Sequence, residues 1–185
     1  MPLFKKKDSN QERLLRILDQ IKAAESPEGW VKVTSAAVGG LSDLGFSKKG
    51  PYLLAVSSQG RGVFDCDTGN KVARDYGSYG DWLKERELVC EGIGPIDSEQ
   101  ICTSGLQGGG LPLSNQFGES IEVVAPNWPV YDLYFCKDYK SALVDGHSSY
   151  CKKLDSEHLR AYGFSWCGKY LVSATGSDLT LWKKL

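Results

Sequence analysis

The 185-residue chain is poor in several of the residues that most often announce a chemistry. It has 2 histidines and 1 methionine, and its 6 cysteines stand singly, with no Cys-x-x-Cys pair. Zinc sites need clustered thiolates and imidazoles, so no metal and no other cofactor is expected. Long apolar runs are also missing. The longest are a handful of residues, far short of the roughly 20 that span a bilayer as a helix. Met1–Lys7 is basic but no apolar segment follows it, so no secretory signal is read and a cytoplasmic protein is expected. In that compartment the cysteines are expected to be reduced, with Cys90, Cys102 and Cys136 buried on strands. Net charge is −1, which removes any overall electrostatic bias toward nucleic acid or an anionic membrane. Lys152-Lys153 and Lys183-Lys184 read as isolated pairs.

What remains is ordinary for a globular domain with a real core: 41% hydrophobic and 24% charged residues. Ser9-Asn-Gln-Glu12 matches a capping box, and Leu14, Leu15, Ile17, Leu18 and Ile21 follow on one face at helical spacing. A helix is therefore expected over Ser9–Ala24, ended by Ser26-Pro27-Glu28-Gly29. Beyond it the pattern turns to short alternating runs. Strands are expected at Trp30–Ser35, Asp43–Ser47, Tyr52–Ser57, Gly62–Asp65, Lys71–Asp75, Glu87–Glu91, Gln100–Thr103 and Ile121–Ala125. Further strands are expected at Val130–Cys136, Ser141–Val144, Tyr150–Leu154, Leu159–Ser165, Lys169–Thr175 and Leu179–Lys183. Asp81–Glu87 reads as a helical turn or loop, and Gly105–Gly118 as a long loop. The organisation expected is a basic tail plus helix over 1–29 and one β domain over 30–185.

Within that domain a motif recurs. Gly45-Phe-Ser opens a segment that continues through Tyr52-Leu-Leu to Val63-Phe64, and Gly163-Phe-Ser opens one that continues through Tyr170-Leu-Val to Leu181-Trp182. The interval from Tyr to closing aromatic is the same in both. Residues Leu133–Cys151 make a degraded third copy. The last segment, with its turn at Gly168-Lys169, Tyr170-Leu-Val-Ser173, the Asp178-bearing turn and Leu179-Thr-Leu-Trp182, resembles a WD40-type β-propeller repeat. That resemblance implies small antiparallel sheets that must stack to bury both faces. With blades of ~40–45 residues, the β domain holds three to four. The fold expected is mainly β, a small or partial propeller-like arrangement with one N-terminal helix. The strand at Trp30–Ser35 is placed to supply the last unit's fourth strand. Lys183 departs from the repeat pattern, which usually carries Asp there, and Gly77–Gly118 fits no repeat.

No catalytic set emerges. Gly163-Phe-Ser-Trp-Cys167 is not a nucleophile elbow, because its last position is Cys and no helix follows. Gly92-x-Gly94 runs into Pro95, and Gly108-Gly-Gly110 lacks the Lys-Ser/Thr of a phosphate loop. Asp65/Asp67 and Asp155/Glu157 sit at turns, where Asp caps local amides. His147 and His158 lie in polar loops, where solvation is their usual state. The loop aromatics are the more suggestive group. Tyr76, Tyr79, Trp82, Phe117 and Trp128 stand on connections over a β scaffold, the usual place for protein-interface anchors, or else they plug the core ends. The reading is a non-enzymatic protein-binding module, of the kind an immunity protein or toxin inhibitor uses to neutralise one protein partner. The alternatives are a scaffold subunit docked by its helix, or an enzyme with a site at Gly105–Gly118 and His147 or His158.

Overall fold

A computed structural model describes residues 9–77 and 80–185. Helix α1 spans Ser9–Leu18. The strands follow as β1 (Trp30–Ala37), β2 (Leu41–Phe46), β3 (Tyr52–Ser57), β4 (Gly60–Asp65), β5 (Lys71–Asp75), β6 (Leu83–Lys84), β7 (Val89–Glu91) and β8 (Gln100–Cys102). Then come β9 (Ser104–Gly105), β10 (Ser120–Val124), β11 (Tyr131–Cys136), β12 (Cys151–Glu157), β13 (Ala161–Phe164), β14 (Tyr170–Ala174) and β15 (Asp178–Lys184). They form four antiparallel sheets. Sheet I is ordered β5-β4-β3-β2-β9, sheet II β6-β7-β8, sheet III β10-β11-β12 and sheet IV β1-β15-β14-β13. The fold is mainly β with one N-terminal helix, as the sequence predicts.

Alternation along the strands sets how the sheets stack, because successive side chains leave a strand on opposite faces. In sheet I, Leu54, Val56 and Val63 pack with Cys90, Ile96 and Ile101 of sheet II and its connections. Their neighbours Leu53, Ala55 and Phe64, with Phe46, pack against Val172, Leu179 and Leu181 of sheet IV. The alternate residues of sheet IV, Phe164, Leu171 and Trp182, join Trp30 and meet Ile121, Leu133 and Phe135 of sheet III. The far face of sheet III presents Tyr134, Cys136 and Cys151 to Leu18 and Ile21. The layers therefore run II–I–IV–III–helix. Among the described residues no hydrophobic cluster joins sheet II to sheet III.

The repeated motif is a structural repeat. Tyr52, Leu54 and Val63 face one way from sheet I, while Tyr170, Val172 and Leu181 face the same way from sheet IV, one layer further on. Phe46 and Phe164 face the other way in each copy. Ser47 N–H donates to Tyr52 O, and Ser165 N–H to Tyr170 O, both at 2.9 Å. The opening glycines are required by close approach. A Cβ on Gly45 would lie 2.2 Å from Cys102 O, and one on Gly163 2.3 Å from Leu111 Cβ, where φ is also +150°.

β1 pairs antiparallel with β15 from Trp30↔Lys184 to Ala37↔Asp178, so the strand after the helix does complete the last sheet. Trp30 and Trp182 sit buried at this seam, and Trp182 Nε1–H donates to Glu25 O at 2.8 Å.

The structure differs from the sequence reading at the helix end, at Ser141–Val144 and at Cys102. The helix ends at Leu18 rather than Ala24, because the next residues extend the edge of sheet III: Lys153 N–H donates to Lys22 O (3.1 Å) and Ala24 N–H to Lys153 O (3.0 Å). Ser141–Val144 is a chain of turns. The Glu122 carboxylate accepts from Ser141 Oγ and Ala142 N–H at 3.1 and 2.8 Å and holds it off the sheet. In the segment that fits no repeat, the strands expected at Glu87–Glu91 and Gln100–Thr103 are present as β7 and β8 and join β6 in sheet II, with a 3₁₀ turn at Glu85–Glu87. Cys102 is exposed, since its neighbour Ile101 takes the inward position of β8, while Cys90 and Cys136 are buried as expected. All six thiols are free.

Gly163→Ala should cost about 2–4 kcal/mol, from a strained φ plus overpacking against Leu111. Gly39, with nothing within 4 Å of its Cβ position, should tolerate Ala within about 0.5 kcal/mol. Urea denaturation of both variants measures this, and equal midpoints would contradict the packing described for Gly163.

Candidate protein-docking groove at the repeat turns

The equivalent turns of the two repeats lie side by side. Trp166 Nε1–H, in the second turn, donates to Phe46 O at the start of the first across 3.1 Å. Lys48 occupies the repeat position equivalent to Trp166, and its ammonium lies 4.5 Å from the Trp166 ring centroid. Between the turns is a cleft of about 340 Å³ lined by Lys48, Lys49, Trp166, Lys169 and Tyr170 among others. Lys169 and Tyr170 also line an adjoining cleft of about 450 Å³, with Asp67, Phe117, Lys183 and Lys184. The two form one groove across the ends of sheets I and IV.

Buried and half-buried groups hold this groove in shape. The Ser47 hydroxyl accepts from the amides of Lys49 and Gly50 (3.0 and 3.2 Å) and donates to Glu99 (2.7 Å), whose second oxygen accepts from Lys48 N–H (2.8 Å). In the second turn the Ser165 hydroxyl accepts from Tyr170 N–H at 3.1 Å. Asn115 and Gln116 donate to Gly168 O and Cys167 O at 3.2 and 2.7 Å. Glu119, nearly buried, accepts from Trp30 Nε1, Asn115 Nδ2 and Lys184 Nζ. Lys184 also lies 5.1 Å from the Phe117 ring centroid.

The electrostatics are uneven along the groove. Lys183 pairs with Asp67 at 2.7 Å, and Tyr170 donates to the same carboxylate at 2.8 Å. Those bonds, Lys183 first, hold the Asp67 carboxyl below the ordinary carboxylate range. Burial and then Asp67 push the Tyr170 phenol up, so it stays a donor. Lys183 thus ties the second repeat to the Asp-bearing turn that follows the first. Lys48, Lys49 and Lys169 are exposed and have no carboxylate partner among the described residues. They are cations held on a rigid frame beside aromatic rings.

The aromatics singled out from the sequence are dispersed. Phe117 lines the groove. Trp82 packs on the cluster between sheets I and II, with the Arg61 guanidinium 4.7 Å from its ring, and Tyr76 is exposed under Arg74. Trp128 is 76% exposed in the β10–β11 turn, at the opposite end of the stack from Trp82. Tyr79 lies outside the described residues. His147 Nδ1 accepts from Ser141 N–H at 3.3 Å, and His158 is exposed; neither lines the cleft beside the 105–113 loop. Sequence reading missed the groove, because Lys48-Lys49, Lys169 and Lys183-Lys184 are far apart in the chain. Their shared places around the Gly-Phe-Ser repeat were the available signal.

No protein-family model matches the chain, and no curated protein matches it. Among the described residues no helix is long and apolar enough to cross a membrane.

The Asp67 carboxyl titrates lower folded than unfolded. Its contribution to stability is therefore complete above about pH 4 and is lost as pH falls through the folded value. Lys183→Gln should raise the Asp67 pKa toward about 3.9, read by carboxyl-carbon NMR titration. An unchanged titration would remove the Lys183–Asp67 tie from this account.

Proposed function

We propose that the protein is a non-enzymatic binding module that docks an acidic protein surface in the groove formed by the two repeat turns. One observation carries the reading: Lys48, Lys49 and Lys169 converge there without acid partners among the described residues, on a chain whose net charge is −1. Charge gathered locally against the overall balance steers an oppositely charged partner and fixes its register. Trp166, Tyr170 and Phe117 supply the rigid aromatic contact area that anchors interfaces. Neutralisation of a protein toxin by an immunity-type inhibitor in the cytoplasm is the biological setting this chemistry suits, since such pairs use charge complementarity. The WD40-type reading of the layers is retained on the same footing. It is supported by the one-layer shift between equivalent residues of the two repeats and by the pairing of β1 with β15.

The test is capture from native lysate with mass spectrometry, comparing wild type with Lys48→Glu/Lys49→Glu/Lys169→Glu. A stoichiometric acidic protein should be retained by wild type and released by about 0.5 M salt, where exposed charges beyond a few ångströms are screened. The variant should unfold at an unchanged temperature and retain none of it. Retention by the variant, or a nucleic acid as the retained species, would overturn the reading.

A further inference from the structure

We propose that Cys136 and Cys151 are a dithiol–disulfide couple, oxidised by a low-molecular-weight disulfide such as glutathione disulfide. The bond formed staples β11 to β12 beneath the helix. The two residues are Cα partners in the β11–β12 ladder, both are fully buried, and their sulfurs lie 3.4 Å apart. Their backbone setting suits a cross-strand bond. The neighbouring pair is hydrogen-bonded, with Lys137 N–H donating to Tyr150 O at 3.1 Å. Lys153, two residues beyond Cys151, turns its N–H and carbonyl away from β11, onto Lys22 and Ala24. Cys136 and Cys151 therefore occupy a non-hydrogen-bonded pair, where Cα atoms are about 4.5 Å apart and side chains stand closest. That separation falls within the roughly 4.4–6.8 Å that a disulfide bridges. The site lies on the helix side of sheet III and shares no residue with the lysine groove, so it stands independently of the binding reading.

The pair also differs chemically from the other buried thiols. Burial, before any other cause, pushes the Cys66 thiol up and raises Cys90 to about 11. At Cys151 the hydrogen bond from Cys136 outweighs burial and the Glu122 charge and lowers the thiol, while that bond and then burial raise Cys136. Cys151 is thus the attacking thiolate. It bonds one sulfur of the oxidant and releases the other half as a thiolate. Cys136 then attacks Cys151 Sγ, and its proton leaves with the second departing thiolate. Two thiols lose two electrons and two protons, and the oxidant gains them as two thiols. Leu18 and Ile21 cover the pair, so the oxidant enters when this outermost layer opens. The helix buries only Ile17 and Leu18 along its length, and outer segments with few buried contacts open at lower cost than the core.

The experiment equilibrates the reduced full chain in glutathione buffers of rising disulfide fraction, then alkylates it and maps its peptides by mass spectrometry. A Cys136–Cys151 link should form with loss of two hydrogens, and dithiothreitol should reverse it. The exposed Cys102 and Cys167 should carry only glutathione adducts. Cys151→Ser should abolish the link and leave the reaction at Cys102 and Cys167 unchanged. Leu18→Ala, which thins the cover, should speed linkage at least about tenfold. The proposal is overturned if Cys136 and Cys151 stay reduced, or take up glutathione without linking, in buffers that modify Cys102 and Cys167. It is equally overturned if the link forms only in urea, or if Leu18→Ala leaves its rate unchanged. The wild-type map with and without urea decides the matter even if a variant fails to fold.

Discussion

Sheet IV is buried on both faces, and this constraint organises the molecule. Val172, Leu179 and Leu181 leave one side of its strands, while Leu171, Trp182 and Phe164 leave the other, all essentially without solvent contact. A sheet apolar on both sides is stable only between two others. Sheet I covers one face and sheet III the other. Each cover is itself two-faced and needs a further layer, sheet II at one end and the helix segment at the other. The stack grows outward until a layer has a polar side to show. Burial at roughly 25 cal/mol per Å² of apolar surface makes each such interface worth far more than any hydrogen bond at the turns.

The seam between β1 and β15 belongs to the same logic. An edge left open on sheet IV would present unpaired backbone groups next to the most apolar part of the core. β1 occupies that edge and brings Trp30 into the layer between sheets IV and III. Trp30 then places its indole N–H on Glu119, and Glu119 receives Lys184. A closure demanded by sheet pairing thus ends as a buried carboxylate that positions one side of the groove.

Because the two repeats are the same unit displaced by one layer, their opening turns emerge on the same side of the stack and touch. The stack explains why cations from distant parts of the chain share one groove. Their mutual repulsion is offset unevenly. Asp67 and Glu119 satisfy Lys183 and Lys184, whereas the turn lysines face solvent, with Lys48 over the Trp166 ring.

The sequence by itself determined what depends on neighbours along the chain. Alternation marked most strands, the Gly-Phe-Ser repeat marked two equivalent hairpins, and Asp65 caps Asp67 and Thr68 in the turn its composition implies. The strand at Trp30 was legible as the partner of the last unit. Tertiary structure alone decided whatever depends on which layer meets which. The helix stops at Leu18 because Lys22–Ala24 gain more by pairing with Lys153 than by another turn. Ser141–Val144 leaves the sheet because Glu122 captures its amide, and β7 and β8, legible as single strands, join as sheet II because sheet I needs a cover. The groove was illegible for the same reason. Trp166 and Phe46 are 120 residues apart, and only the one-layer offset of the stacked repeats sets them in contact.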